Sequence, residues 1–339
     1  MKLLACALMA CAGLTAQPNV AHARFETRAF SGDLAAQIRG AGPAWFGYAV
    51  RTDSSDRQSC CWENSRQCGC SLESGRGDVT IGSHSGPVQL EGSAEMAVLF
   101  RVVNDGVQKV QAYTLSCPLD AGGLPFVWIT GVPAGASLSW LEHLAATDTA
   151  DRVADGAVMA IAQHDDPHAD DVLERFTQSS QPMRLREKAV FWLGAARGAR
   201  GVAILKNLLE HDASSEIRDK AIFALSISKQ PEALEWMIQA ARNDPSSHVR
   251  GQAIFWLAQK AGKRAVSTIT DAIANDPDTE VKKRAVFALS QLPKDEGVPK
   301  LIDVARNQKN PEVRKQAFFW LGQSGDPRAL AFIEQVLTR

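Results

Sequence analysis

The sequence predicts an α+β chain in two parts: a small β-rich N-terminal domain, then an all-α solenoid of six helix-pair repeats. Three observations carry this. A nine-residue pattern returns at a fixed interval of 32 residues through the second half. The first half instead holds short β-branched and aromatic runs bounded by Gly, Pro, Asn and Asp. Charge also changes sign between them: Arg24 to Pro182 carries 11 basic and 20 acidic residues, and Met183 to the end 25 basic and 18 acidic. With 339 residues, 45% of them hydrophobic, and a formal net charge of -1, the chain suits one or two globular domains. Its overall charge gives no case for a nucleic-acid partner.

The chain opens "MKLLACALMACAGLTAQPNVAHARF", with Lys2 ahead of an apolar run from Leu3 to about Ala16 and an A-x-A site at Ala21-His22-Ala23. The run falls short of the roughly 20 residues a membrane span needs. It reads as a secretory signal, residues 1–23, cleaved after Ala23 to leave a periplasmic or secreted protein without a transmembrane segment. The small residue before Cys11 leaves one alternative, a lipoprotein anchored at Cys11.

Residues 24–136 form the expected β-rich domain. "AWFGYAV", "DVTIG", "PVQLEG", "AVLFRVV" and "VQKVQAYTL" read as strands. Asn104-Asp105-Gly106 marks a hairpin, since these residues accept the positive φ of a tight turn. Five cysteines lie here: Cys60, Cys61, Cys68, Cys70 and Cys117. Their C-x6-C-x-C spacing lacks the paired knuckles of a zinc module, so disulfides are expected rather than a metal. Successive strand residues face opposite ways, which separates Cys60 from Cys61 and puts Cys68 and Cys70 on one face. The simplest arrangement is one local bridge and one to Cys117, with a thiol left over.

Residues 137–339 form the expected solenoid. The repeat lines are "VADGAVMAI" from Val153, "LREKAVFWL" from Leu185, "IRDKAIFAL" from Ile217, "VRGQAIFWL" from Val249, "VKKRAVFAL" from Val281 and "VRKQAFFWL" from Val313. The fifth position is always Ala and the ninth always Leu or Ile. Small residues there let a neighbouring helix come close, and a helix apolar on nearly every side must be covered on several. Ser214, Ser246, Asp278 and Asn310 stand in register as N-caps, with Pro311 at a first helical position. The second helix of each pair is amphipathic, with Val202, Leu234, Val266, Val298 and Leu330 in one column and Leu205, Met237, Ile269, Leu301 and Ile333 in another. "SLSWLEHLA" from Ser137 aligns with these as a half repeat. The eighth position alternates Ala160, Trp192, Ala224, Trp256, Ala288, Trp320, which fits interdigitating layers or a duplicated 64-residue unit.

This pattern resembles HEAT repeats of the short bacterial type named from phycobilisome lyases, and the layout resembles exported bacterial HEAT-repeat proteins. The resemblance implies a ladder between layers from an Asp and an Arg six apart: Asp212–Arg218, Asp244–Arg250 and, in charge, Asp276–Lys282. Ser180–Arg186 and Gln308–Arg314 depart from it, so the ladder is expected to break at both ends.

For function, the sequence holds no phosphate loop, dinucleotide fingerprint or HExxH. "HDDPHADD" (His164 to Asp171) has the composition of a cation site but aligns with a helix-capping turn; "GSHSG" has His84 where a nucleophile elbow has Ser, and the "RGD" at Arg76 is too short to carry weight. No catalytic, cofactor or metal residue is assigned. The expected function is a non-enzymatic scaffold in the cell envelope that binds a protein partner. The alternatives are a metal-binding or enzyme-accessory protein and, behind these, a lyase-like enzyme. The expected partner surface is the free face of the second helices, which solenoids commonly offer as a concave surface: Asn207, Gln239, Asp271, Asp303 and Gln335, flanked by Glu210, Arg242 and Arg306. The last repeat carries Phe318, Phe319, Trp320 and Phe332 with no further repeat to cover them, so this end is expected to be covered either by a second copy in a homodimer or by a partner protein. The alternative is that Phe318 and Trp320 turn inward and only Phe319 is exposed.

Overall fold

The structure, a computed structural model, describes residues 17–52, 58–63, 66–68, 70–73, 80–82, 94–147 and 151–338. Cys6 and Cys11, most of the signal segment, "PVQLEG", Gly69, His84 and the "RGD" at Arg76 lie outside these. The chain divides into two compact units, one up to Ala169 and one from Asp170.

In the first unit the strands are β1 (Val20–Ala21), β2 (Arg24–Ala29), β3 (Ala44–Arg51), β4 (Gln58–Glu63), β5 (Arg66–Cys68), β6 (Cys70–Ser71), β7 (Thr80–Gly82), β8 (Glu95–Val103), β9 (Gly106–Thr114), β10 (Leu119–Asp120) and β11 (Pro125–Thr130). A short helix, α1 (Leu34–Gln37), follows β2, and α2 (Ala134–Thr147) and α3 (Asp151–Gln163) close the unit. The main sheet has the order β2-β11-β3-β8-β9, with β11 parallel to both neighbours and β3-β8-β9 an antiparallel meander. The β8–β9 turn is the expected hairpin, with Asn104 and Asp105 at φ 51° and 60°. β3 and β8 are almost continuously buried because both faces of the sheet are covered. One core cluster holds Trp45, Leu99, Tyr113, Trp128 and Cys60, Cys61, Cys70 and Cys117. Helix α3 packs on β9 and α2 packs on α3. A side chain at Gly156 would overlap the Val110 carbonyl, so glycine sets how closely α3 approaches β9. The half repeat and the first repeat line thus lie in the same compact unit as the sheet.

Cys61 is bonded to Cys70 and Cys60 to Cys117. Adjacent cysteines on one strand face opposite ways and so take different partners. The backbone of Cys68 pairs with Cys61 across the β4–β5 ladder.

Helix α4 (His168–Thr177) spans the division. The second unit then alternates first helices α5 (Met183–Ala196), α7 (Ser215–Ile227), α9 (Ser247–Ala261), α11 (Thr279–Ser290) and α13 (Pro311–Gln323) with second helices α6 (Gly198–His211), α8 (Ala233–Asn243), α10 (Val266–Asn275), α12 (Lys294–Asn307) and α14 (Pro327–Leu337). Together these make a β-rich N-terminal region followed by a helical repeat solenoid, the expected fold class. First helices stack directly on one another from layer to layer. Second helices pack on the first helices beside them and only weakly on each other. Ala189, Ala221, Ala253, Ala285 and Ala317 have no exposed surface, which explains why Ala never varies there. Ser214, Asp278 and Asn310 cap their helices by side chain. Ser246 has the extended cap conformation, but its hydroxyl makes no capping bond.

Candidate interaction surface

The seventh and eighth positions of the repeat lines come together on the close-packed row of first helices. Eight rings form an unbroken series: Trp192, Phe191, Phe223, Trp256, Phe255, Phe287, Trp320 and Phe319. Their successive centroids lie between 4.9 and 6.3 Å apart. Edge-to-face and offset contacts at such distances suit the aromatic quadrupole. The Ala/Trp alternation is explained here. Ala224 and Ala288 are fully buried, while Trp256 lies on Phe223 of the preceding layer and Trp320 on Phe287. The packing unit is therefore two repeats. The rings are half-buried along most of the row and emerge at its ends, Phe191 at 37% and Phe319 at 53% exposure.

Charged pairs hold the layers beneath the row. Arg218 donates to both oxygens of Asp244, at 2.8 and 3.0 Å, and Arg250 to both of Asp276, at 2.7 and 2.9 Å. Arg186, also buried, donates through Nη2 to a single oxygen of Asp212. This corrects the expected pairing. Each Arg meets the carboxylate at the end of its own repeat, and it reaches the preceding Asp only through that residue's backbone carbonyl, as Arg218 does to Asp212 and Arg250 to Asp244. The Asp carboxylate is turned away because it also accepts from the backbone two residues on, at Ser214, Ser246 and Asp278. The ladder does not break at Arg186, which uses the Thr177 carbonyl in place of an Asp. Lys282 is too short for the two-pronged contact and donates to the Ala274 carbonyl, and Arg314 keeps only the carbonyl half, on Gln308. The paired guanidiniums of Arg218 and Arg250 are held above their usual pKa by the carboxylates.

The residues expected to bind a partner are all exposed: Asn207, Gln239, Asp271, Asp303 and Gln335, with Glu210, Arg242 and Arg306. They lie on the second helices, the row where layers touch least. Much of this column is engaged within itself. Asn275 donates to Asp271, Asn307 to Asp303 and Asn243 to Gln239, one turn apart on each helix. Arg242 lies 3.8 Å from Asp271, and Arg306 stacks over the Phe332 ring.

The segment His164 to Asp171 disperses instead of gathering a cation. Asp165 pairs with Arg51, Asp166 accepts from the backbone of His168, and Asp170 accepts from Arg197. His164 is buried in a relay that the sequence did not reveal. Its Nδ1–H donates to the Ala160 carbonyl at 2.7 Å, which leaves Nε2 to accept from the Ser137 hydroxyl at 2.9 Å. Ser137 Oγ in turn accepts from Tyr48, whose hydroxyl burial pushes far above its usual pKa. A cavity of about 330 Å³ edged by Arg51, Glu95, Trp128, His164 and Asp166 lies beside it. Ser137 itself is 0% exposed. No local spacing joins Tyr48, Ser137 and His164, so only the fold could bring them together.

A family described as HEAT repeats matches residues 178–258, 234–317 and 266–339, and the second unit accordingly carries HEAT repeats. None of the curated proteins compared matches the sequence. Among solved structures, human deoxyhypusine hydroxylase in complex with glycerol is similar at 18% identity, over 57% of this chain and 85% of that one, with a TM-score of 0.32. The CpcE–CpcF complex of phycocyanin lyase from Nostoc sp. PCC7120 is similar at 18% identity over 60% and 81%, with a TM-score of 0.31. The TOG3 region of Drosophila melanogaster Mini spindles is similar at 10% identity over 57% and 96%, with a TM-score of 0.39. Likenesses of this order carry no argument about what this chain does.

Proposed function

We propose that this chain is a non-enzymatic scaffold that holds a protein partner along the aromatic row of its HEAT repeats, in the cell envelope. The single observation that carries the reading is the row itself: eight contacting rings, half-exposed, spanning five first helices. Rows of partly exposed aromatics supply large contact area at low entropic cost and dominate many interfaces. The row displaces the second-helix column as the favoured surface, since that column is polar and largely bonded to itself. Against an enzyme stands the closure of the Ser–His pair, whose hydroxyl is fully buried and already bonded on both sides. The two disulfides support an oxidising compartment, and with the apolar leader they favour export, although the pairing of β1 with β10 speaks against a cut as late as Ala23. The exposed apolar residues of the last layer favour a second copy or a partner protein at that end.

Site-specific photo-crosslinking in the native host tests the surface. A crosslinker at Phe255 should yield a defined protein adduct, and one at Asp271 should not. The reverse pattern would return the site to the second helices, and no adduct from either would remove the scaffold reading.

A further inference from the structure

Because the packing unit is 64 residues, the two copies can be read against each other. In the first, Lys260 on α9 reaches across the layer beside Trp256. Its ammonium donates to the Ser226 carbonyl at 2.9 Å and the Ser228 carbonyl at 2.6 Å, at the C-terminal end of α7. Helix C-termini carry partial negative charge and favour cations. In the second copy the corresponding residues are Ser324, Trp320, Ser290 and Leu292. Ser324 is too short to cross and donates to Leu321 of its own helix at 2.7 Å. Where the lysine stem and ammonium stood there is now a cavity of about 290 Å³, lined by Leu289, Ser290, Leu292, Leu301, Trp320 and Ser324 among others. The Trp320 indole nitrogen on its wall is buried without a hydrogen-bond acceptor.

We propose that this cavity is a binding site for a primary alkylammonium, a lysine side chain of the partner protein, which takes the place that Lys260 fills in the first copy. Its methylene stem lies on Leu289, Leu301 and the Trp320 ring, and its ammonium donates to the carbonyls at the end of α11. The main chain that brings it supplies a carbonyl to the Trp320 N–H. The wall offers a cation three things at once: helix-end carbonyls, an aromatic face and an apolar floor. Lys294, which lines the same cavity, is the one in-chain competitor among the described lining residues.

The inference rests on reading the second unit as a scaffold, but it is tested without the partner. The probe is Nα-acetyl-lysine methylamide, with the norleucine analogue as the neutral control, followed by the indole NMR signals of Trp256 and Trp320. The wild type should show a saturable shift at Trp320 with the lysine probe only. Ser324→Lys should fill the site from within, weaken the probe at least tenfold and raise Tm. Lys260→Ser should open a second site reported by Trp256, and Lys294→Met should bind the probe no worse than wild type. An absent shift, an equal response to norleucine, or binding that persists in a folded Ser324→Lys variant would overturn the proposal. So would loss of binding in Lys294→Met. A Phe255 crosslink that survives such a result would leave the scaffold reading standing.

Discussion

At the scale of single residues, the buried ion pairs set the largest energies. Breaking one side of such a pair leaves an uncompensated charge and costs about 3–5 kcal/mol, whereas replacing both by apolar residues costs far less. Arg250→Met should therefore lose about 3–5 kcal/mol in urea denaturation, and Arg250→Met with Asp276→Leu should recover most of it. Asp326 offers a pH test. It caps α14 and accepts from the Arg328 guanidinium and backbone, which holds its carboxyl down at about 2. A folded pKa below the unfolded value, about 3.9, contributes stability that is complete above that value and is lost as pH falls through about 2. Asp326→Asn keeps the cap but should flatten the dependence of Tm on pH in that window; an unchanged slope would put the acid sensitivity elsewhere. The Asp and Arg columns were legible because they recur with the repeat. Which carboxylate each Arg meets was not, because it depends on a backbone N–H turning the Asp away.

At the scale of elements, periodicity showed the helices and their faces, while the strands were legible only in part. β3, β8 and β9 announce themselves by length and by the Asn104-Asp105-Gly106 turn. Strands of two or three residues, such as β6 and β10, take their register from distant partners that no local pattern records. Gly194 shows how an element's identity can be misread from propensity. Alanine should favour a helix by about 1 kcal/mol over glycine. Yet a side chain there would overlap the Ala224 carbonyl of α7, and overpacking typically costs about 1–3 kcal/mol. Gly194→Ala should lower Tm; a rise would mean that the α5–α7 contact can give way. The two disulfides also rank by the loops they close, 57 residues for Cys60–Cys117 and 9 for Cys61–Cys70. Chain entropy alone gives about 4 and about 2.5 kcal/mol. Cys117→Ser should destabilise the protein more than Cys70→Ser in denaturant titration, and the opposite order would point to strain or residual structure as the controlling factor.

At the scale of the whole molecule, the sequence placed the domain boundary where the periodicity changes, whereas the compact units divide at Ala169 and Asp170. Helical period reports what an element is and not which neighbour covers it, and α3 lies against β9. The C-terminal end raises the same question of cover. Two of its aromatic residues turn inward: Phe318 stacks on Phe332 at 5.7 Å, and Trp320 lies on Phe287. That leaves Phe319, Leu330, Val336 and Leu337 at 53%, 60%, 45% and 80% exposure. Leu330 continues the column whose earlier members Val202, Leu234 and Val298 are buried, yet among the described residues it is itself exposed. Fully burying each such side chain is worth about 1.5–3 kcal/mol, and exposed apolar side chains gathered in the last two helices favour association. A second copy meeting this face about a two-fold axis would bury the same residues on both sides. Sedimentation of the wild type should therefore show a concentration-dependent dimer, and Phe319→Glu with Leu330→Glu should be monomeric while keeping its helical circular dichroism. A wild type that stays monomeric at high concentration would assign this end to a partner protein, and an unchanged dimer in the double variant would move the contact to another surface.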